Sequence, residues 1–329
     1  MYNLCLILII VFCLCLCFHS HLYVTYNHTS NVSGKVSIIY NNPDQWTWSD
    51  ISIDDANKWK MQFGKKISPG SYTSRVFNQH ISKWCGCCFF ISVIQCIQDK
   101  MNMSMGINSD EYFMLPFIEF DAQISMDAYN KLRRKNHPDW NVCQGGNPEI
   151  LIQTIKDNKI PFAFSTSDGF AWYGHPTSRE MKGDINISFR NFDIIHENII
   201  EKVQHTIFKY GPMVLAINSN CLTDSTLIER KGVIDSKIFG TRNHAVSVIG
   251  WKIINDKNYW IVRNSWGIHT MPKDIPNDIS CVQTDVNNCN VENINWGGHN
   301  GFVYVPFDYS TIKGLPSPWY FCCPDVLDY

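Results

Sequence analysis

The chain has no surplus of basic charge. Its 28 Lys and Arg are offset by 30 Asp and Glu, giving a formal net charge of -2. Binding a phosphate backbone needs a basic face, so a nucleic-acid partner is not expected. The one local basic run, Lys131, Arg133, Arg134 and Lys135, reads as the solvated end of a helix. Charge of either sign is sparse: 18% of residues are charged and 45% apolar, which excludes wholesale disorder and allows a sizeable core. There is no internal repeat. Cys and His do not recur at finger-like spacing, so neither a metal nor a cofactor is expected.

No basic residue precedes the first apolar run, Leu4 to Phe18, which Leu22 to Val24 extend after three polar residues. The short run suits a signal peptide; the extended one suits an anchor, with membrane attachment through residues 4–24. Residues 1–24 are therefore read as signal or anchor, and residues 25–45 as a polar stalk or short leader. Either way the chain meets the secretory route, to be secreted, held in a lysosome-like compartment or anchored by one pass. Sequons at Asn27, Asn31, Asn102 and Asn186 permit glycosylation there. Of the 14 cysteines, Cys5, Cys13, Cys15 and Cys17 lie in the apolar run. The others face an oxidising compartment, where disulfides persist.

Periodicity divides the remainder. Phe89, Ile91, Val93, Ile94 and Ile97 predict a helix starting at Cys88, and Leu151 to Asn158 a shorter one with Pro at its first turn. Ile195 to Tyr210 also carries helical spacing. Met213 to Ile217, Ala245 to Trp251, Tyr259 to Arg263 and Gly301 to Val305 are short and β-rich. A helical first half and a strand-rich second half predict an α+β protein with two lobes.

Cys88 sits in Cys85-Gly86-Cys87-Cys88-Phe89, at the start of a predicted helix. The positive end of the helix dipole there favours thiolate, the reactive form. His244 opens a strand far downstream, and Asn264 follows another. A Cys, a distant His and then an Asn is the order that a thiol nucleophile, its base and the base's orienting residue require. An indole such as Trp266 can shield the His–Asn hydrogen bond. The Gln79 amide and the Cys88 N–H can receive an oxyanion.

Asn78-Gln79-His80, Cys85-Gly86-Cys87-Cys88, Cys143-Gln144-Gly145-Gly146, Asn243-His244-Ala245-Val246 and Tyr259-Trp260-Ile261-Val262-Arg263-Asn264-Ser265-Trp266-Gly267, in this order, resemble the papain-like cysteine peptidases. The resemblance implies a two-lobed papain-like fold over residues 46–321. A helical left lobe and a β-barrel-like right lobe would flank the cleft, and residues 322–329 would form a tail. It implies Cys88 as nucleophile, His244 as base, Asn264 as orienting residue and Gln79 as oxyanion donor. It also implies a Cys85–Cys143 disulfide, and Gly145 and Gly146 as the edge against which a peptide substrate extends, near Trp266.

Within the family the resemblance is to cathepsin X, also called cathepsin Z. The loop opening at His80 is longer than papain's, and in that subfamily its His engages the substrate's terminal carboxylate. A carboxypeptidase activity follows as an expectation.

Three features depart from the family pattern. Phe89 replaces a Trp and Cys87 a Ser. An insert at 268–295 carries Cys281 and Cys289, a candidate small disulfide. Two rival readings stay open: a catalytically impaired papain-fold binding or surface protein, and a redox protein using Cys85-Gly86-Cys87-Cys88 as a C-x-x-C dithiol.

Overall fold

In the computed structural model the described residues are 40–80, 85–106, 120–157, 159–163, 187, 189–195, 200–223, 226–227, 229–234, 240–267, 301–309 and 318–324. The apolar run 4–24, the sequons Asn27, Asn31 and Asn186, and the insert 268–295 with Cys281 and Cys289 lie outside them. Among the described residues no helix is long and apolar enough to cross a membrane.

Five α-helices are described: α1 (Ile53–Phe63), α2 (Cys88–Met105), α3 (Ala122–Arg134), α4 (Pro148–Lys156) and α5 (Ile200–Tyr210). Their boundaries follow local chemistry. The Ser52 hydroxyl accepts the Asp55 N–H at 3.1 Å to start α1, and Gly64 ends it at φ 71°. Asp121 caps α3, whose last turn carries Lys131, Arg133 and Arg134, the basic helix end expected above. Asn147 caps α4 by accepting the Glu149 N–H, with Pro148 at its first position.

The strands β1 (Trp46–Thr47), β2 (Phe189–Ile195), β3 (Met213–Ile217), β4 (His244–Ile254), β5 (Lys257–Arg263), β6 (Phe302–Pro306) and β7 (Trp319–Pro324) form one antiparallel sheet. Its order is β2-β7-β3-β4-β5-β6, with β1 also paired to β4. Among the described residues the sheet is an open path, so the barrel-like expectation becomes an unclosed sheet.

Three expected boundaries move. Ile195 ends β2 instead of starting a helix, because β2 pairs with β7 from Ile195↔Trp319 to Phe189↔Pro324. Cys322 and Cys323 belong to β7, so the chain is still in the sheet where a tail was expected. At the other end Tyr40 already belongs to the compact unit. The Pro43 carbonyl accepts the Trp251 indole N–H at 3.2 Å, and Asn42 Nδ2 donates to the Glu201 carbonyl. Residues 42 and 43 are thus tied to the body that follows.

Two apolar cores form. One joins the sheet to α1 and α5 through Trp48, Trp59, Trp251, Trp260 and Phe208. Trp48 and Trp59 donate their indole N–H groups to the Ile207 and Phe208 carbonyls, which satisfies the end of α5. The second surrounds α2 with α3 and α4 through Phe90, Ile94, Ile97, Met126, Tyr129 and Leu151. Asn102 lies inside α2 with none of its surface exposed, so that sequon cannot carry a glycan in the folded chain. Cys88, at the head of α2, and Ala245, at the start of β4, both border the second core, while Val246 and Trp266 belong to the first. The site sits where the two cores meet.

Candidate active site

Cys88 is the first residue of α2, and its predecessor Cys87 makes no side-chain cap bond. The first N–H groups of a helix have no intrahelical acceptor, so they are available to a negative atom. The N–H groups of Cys88 and Phe89, joined by that of Ala245 across the junction, all favour the Cys88 thiolate. Burial opposes them and is the larger effect, so the thiol sits above its ordinary value. Cys87 is fully buried and pushed higher still, first by burial and then by the charge of Cys88.

His244 follows directly from pairing. Its strand partner is Ile217, and the exposed Asn243 just before it fixes the strand's entry by donating its N–H to the Ile217 carbonyl. The His244 Nε2–H donates to Asn264 Oδ1 at 2.7 Å. An amide oxygen only accepts, so this bond puts the proton on Nε2 and leaves Nδ1 as the basic nitrogen. Burial lowers the imidazole to about 4, and the Asn264 bond raises it in part. Asn264 is fully buried and held by its own N–H to the Gly301 carbonyl at 2.9 Å. The Trp266 ring lies 5.0 Å from the His244 ring, covering the bond from solvent. Trp266 is only 2% exposed, which suits a roof over the His–Asn pair.

Gln79 donates its amide to the Cys85 carbonyl at 2.8 Å, while its oxygen accepts from the Ser265 hydroxyl. An amide NH2 has two hydrogens, so one donor remains beyond the Cys85 bond. Ser265, absent from the sequence-based site, is what orients this amide; its place between Asn264 and Trp266 was the only hint.

His80 is completely buried, its Nδ1 accepts the Cys85 N–H at 3.2 Å, and its ring lies 5.7 Å from that of Trp266. A ring nitrogen that accepts carries no proton, so Nδ1 is taken up by the backbone.

Cys85 and Cys143 form a disulfide, with 4.3 Å between their Cα atoms. Cys85 is therefore not half of a C-x-x-C dithiol with Cys88, which removes the redox reading. Gly86 lets the two segments touch: its N–H donates to the Cys143 carbonyl at 2.8 Å. Gly145 adopts φ 96° and faces open space. Gly146 is exposed, and its Cα lies against the Phe89 ring, where a Cβ would sit 2.5 Å from Cζ. Phe89 thus supports the glycine edge from below. Among the described residues no group of three or more His, Cys, Asp or Glu side chains could hold a metal ion.

The family model described as papain family cysteine protease matches residues 67–294. Cathepsin S of Mus musculus is 24% identical over 192 residues, covering 56% of this chain and 50% of that protein. Cathepsin Z of Onchocerca volvulus is 23% identical over 251 residues, covering 71% of this chain and 74% of its own. For pro-cathepsin H of Mus musculus the values are 27% over 203 residues, 60% and 54%. The chain spans about half the length of the mouse relatives it matches. Bromelain from Ananas comosus, solved with the E64 inhibitor, superposes with a TM-score of 0.52 at 18% identity, covering 85% of this chain and 99% of its own. Procathepsin L2 from Tenebrio molitor gives 0.53 at 15%, covering 87% and 69%. These two structures share the fold.

Proposed function

The chain belongs to the papain family of cysteine proteases, and we propose that it hydrolyses peptide bonds through Cys88, His244 and Asn264. One observation carries this reading. The His244–Asn264 bond of 2.7 Å, roofed by Trp266, adjoins the Ala245 N–H that faces the Cys88 thiol.

The steps follow from the atoms present. His244 Nδ1 takes the Cys88 proton, and the thiolate attacks the substrate carbonyl carbon. The oxyanion formed accepts from the Cys88 N–H and the second Gln79 amide hydrogen. The intermediate collapses to a thioester as His244 returns the proton to the leaving amine. Water, deprotonated by His244, then releases the acid and restores the thiol. An extended peptide along Gly145 and Gly146 would gain main-chain hydrogen bonds at an edge without side chains.

His80, in this reading, braces Trp266 and the Cys85 backbone and does not bind a terminal carboxylate. Cleavage then needs no free C-terminus. The disulfide supports passage through an oxidising, secretory route.

The purified chain is assayed on a peptide set with free-acid and amidated C-termini. Thiol-dependent cleavage at equal rates, abolished by Cys88→Ala, is expected. A strong preference for the free acid would restore the carboxylate role to His80. No cleavage of any peptide would favour the impaired, binding-protein alternative.

A further inference from the structure

Helix α2 is almost wholly buried, yet one of its faces is polar. Cys88, Ser92, Gln95 and Asp99 follow one another at the i, i+4, i+7, i+11 spacing of a single helical face. Ser92, Gln95 and Asp99 are each at most 1% exposed. Buried polar groups cost free energy unless they are paired, so such a stripe needs partners. Each rung has one. The Ser92 hydroxyl donates to the Phe89 carbonyl at 3.3 Å, and the Ser92 carbonyl accepts the Ser247 hydroxyl on β4 at 3.2 Å, three residues past His244. Gln95 Nε2 donates to the Arg75 carbonyl at 2.8 Å. Asp99 accepts the Ser74 N–H at 2.6 Å and the Arg263 guanidinium at 2.7 Å.

The last rung differs in kind. Asp99 and Arg263 are both fully buried, and Arg263 Nη1 also donates to the Ser74 carbonyl at 2.8 Å. Three chain segments, α2, β5 and the loop before Gln79, are fixed at one point. A buried ion pair contributes little net stability, because desolvation of both charges offsets their attraction. What it does supply is direction: a guanidinium fork fits a carboxylate in only a few geometries, whereas apolar packing lets a helix slide or turn. Asp99 lies about 16 Å along the axis from Cys88, too far to touch the thiol, but eleven residues advance the helix by about three full turns. The same face therefore aims Asp99 at Arg263 and Cys88 at the start of β4. On the other side of the pair, Arg263 directly precedes Asn264, the residue that holds His244.

We propose that Asp99 and Arg263 are positioning residues: their ion pair sets the axial and rotational register of α2, so that the Cys88 thiol meets His244. The proposal rests on the peptidase reading for its catalytic consequence, but the register itself is measurable without substrate. Neither residue touches substrate or the reacting atoms.

The test compares the full chain with Asp99→Leu/Arg263→Met, which removes both charges and leaves neither unpaired. Arg263→Lys, which keeps a charge but loses the fork, is the second variant. Thermal unfolding, the pH profile of Cys88 alkylation by iodoacetamide, and kcat and KM on a peptide are measured for each. The expected result is cooperative unfolding with Cys88 alkylation slowed and its pH profile displaced, kcat lowered about tenfold to a hundredfold, and KM little changed. A folded double variant with the native alkylation profile and kcat would overturn the proposal and make the pair merely structural. Should the double variant not fold, Arg263→Lys decides by the same criterion. A native chain that is alkylated at Cys88 yet cuts no peptide overturns the peptidase reading alone, and the alkylation profiles still decide the positioning role.

Discussion

At Cys88 two effects oppose each other. Three backbone N–H groups favour the thiolate, and burial favours the thiol. At His244 burial likewise favours the neutral ring, lowering it to about 4. The residue after His244 presents its N–H to the Cys88 thiol. In Cys88→Ala no thiolate forms and His244 titrates alone, with a folded value of about 4 below the ordinary 6.5. Between these values the unfolded chain binds more proton, so stability is complete above pH 6.5 and falls as pH drops towards 4. The loss across that window is about 3 kcal/mol, from the size of the shift. Urea unfolding of Cys88→Ala across this range should show the slope, and His244→Gln in the same background should flatten it. An identical slope in both proteins would put the buried histidine elsewhere. His80 gives the complementary lesson. Its sequence neighbours suggest a substrate contact, whereas its burial beside Trp266, 186 positions away, follows from the bridge Asn78↔Trp266. Nothing local to His80 could have revealed that.

Among the elements, α2 was legible because its apolar residues recur so densely that only a buried helix suits them. The strands β3, β4, β5 and β6 were legible for a similar reason, as short β-branched runs between turns. By contrast, β2 reads Phe-Arg-Asn-Phe-Asp-Ile-Ile, with no clean alternation, and its identity comes from pairing with β7. Helix α1 was missed because only Ala56 and Trp59 turn inward, while Ile53 and Met61 stand exposed. The turn before α2 carries a sharper constraint. A Cβ on Gly86 would lie 2.7 Å from the Cys143 carbonyl oxygen, a backbone atom tied down by the adjacent disulfide. Gly86→Ala is therefore expected to cost about 1–3 kcal/mol, the usual range for overpacking a tight site. It should also slow Cys88 alkylation, since the head of α2 must shift. Full native stability and reactivity in that variant would mean that the Cys143 segment yields without moving Cys88.

For the whole molecule, two cores meet at one junction, and the chemistry collects there because residues from both must converge. The order of motifs made the family readable from sequence alone, since Gln79, Cys88, His244 and Asn264 each sit in a recognisable short context. The interlobe ties were not readable in the same way: Asp99 and Ser74 carry no motif, Arg263 sits in one whose context says nothing of its partner, and the three become a unit only when β5 lies against α2. The same holds for the end of the chain, where Trp319–Pro324 enters the sheet between β2 and β3.

The central claim is that Cys88 is a nucleophile activated by His244. It is tested most directly by treating the intact chain with a thiol-directed epoxide at about pH 5 to 7 and locating the adduct by mass spectrometry. The account predicts one adduct, on Cys88, with peptide hydrolysis lost in proportion and labelling much slower in His244→Ala. No adduct on Cys88 while His244 is intact, or equal labelling in His244→Ala, would contradict it.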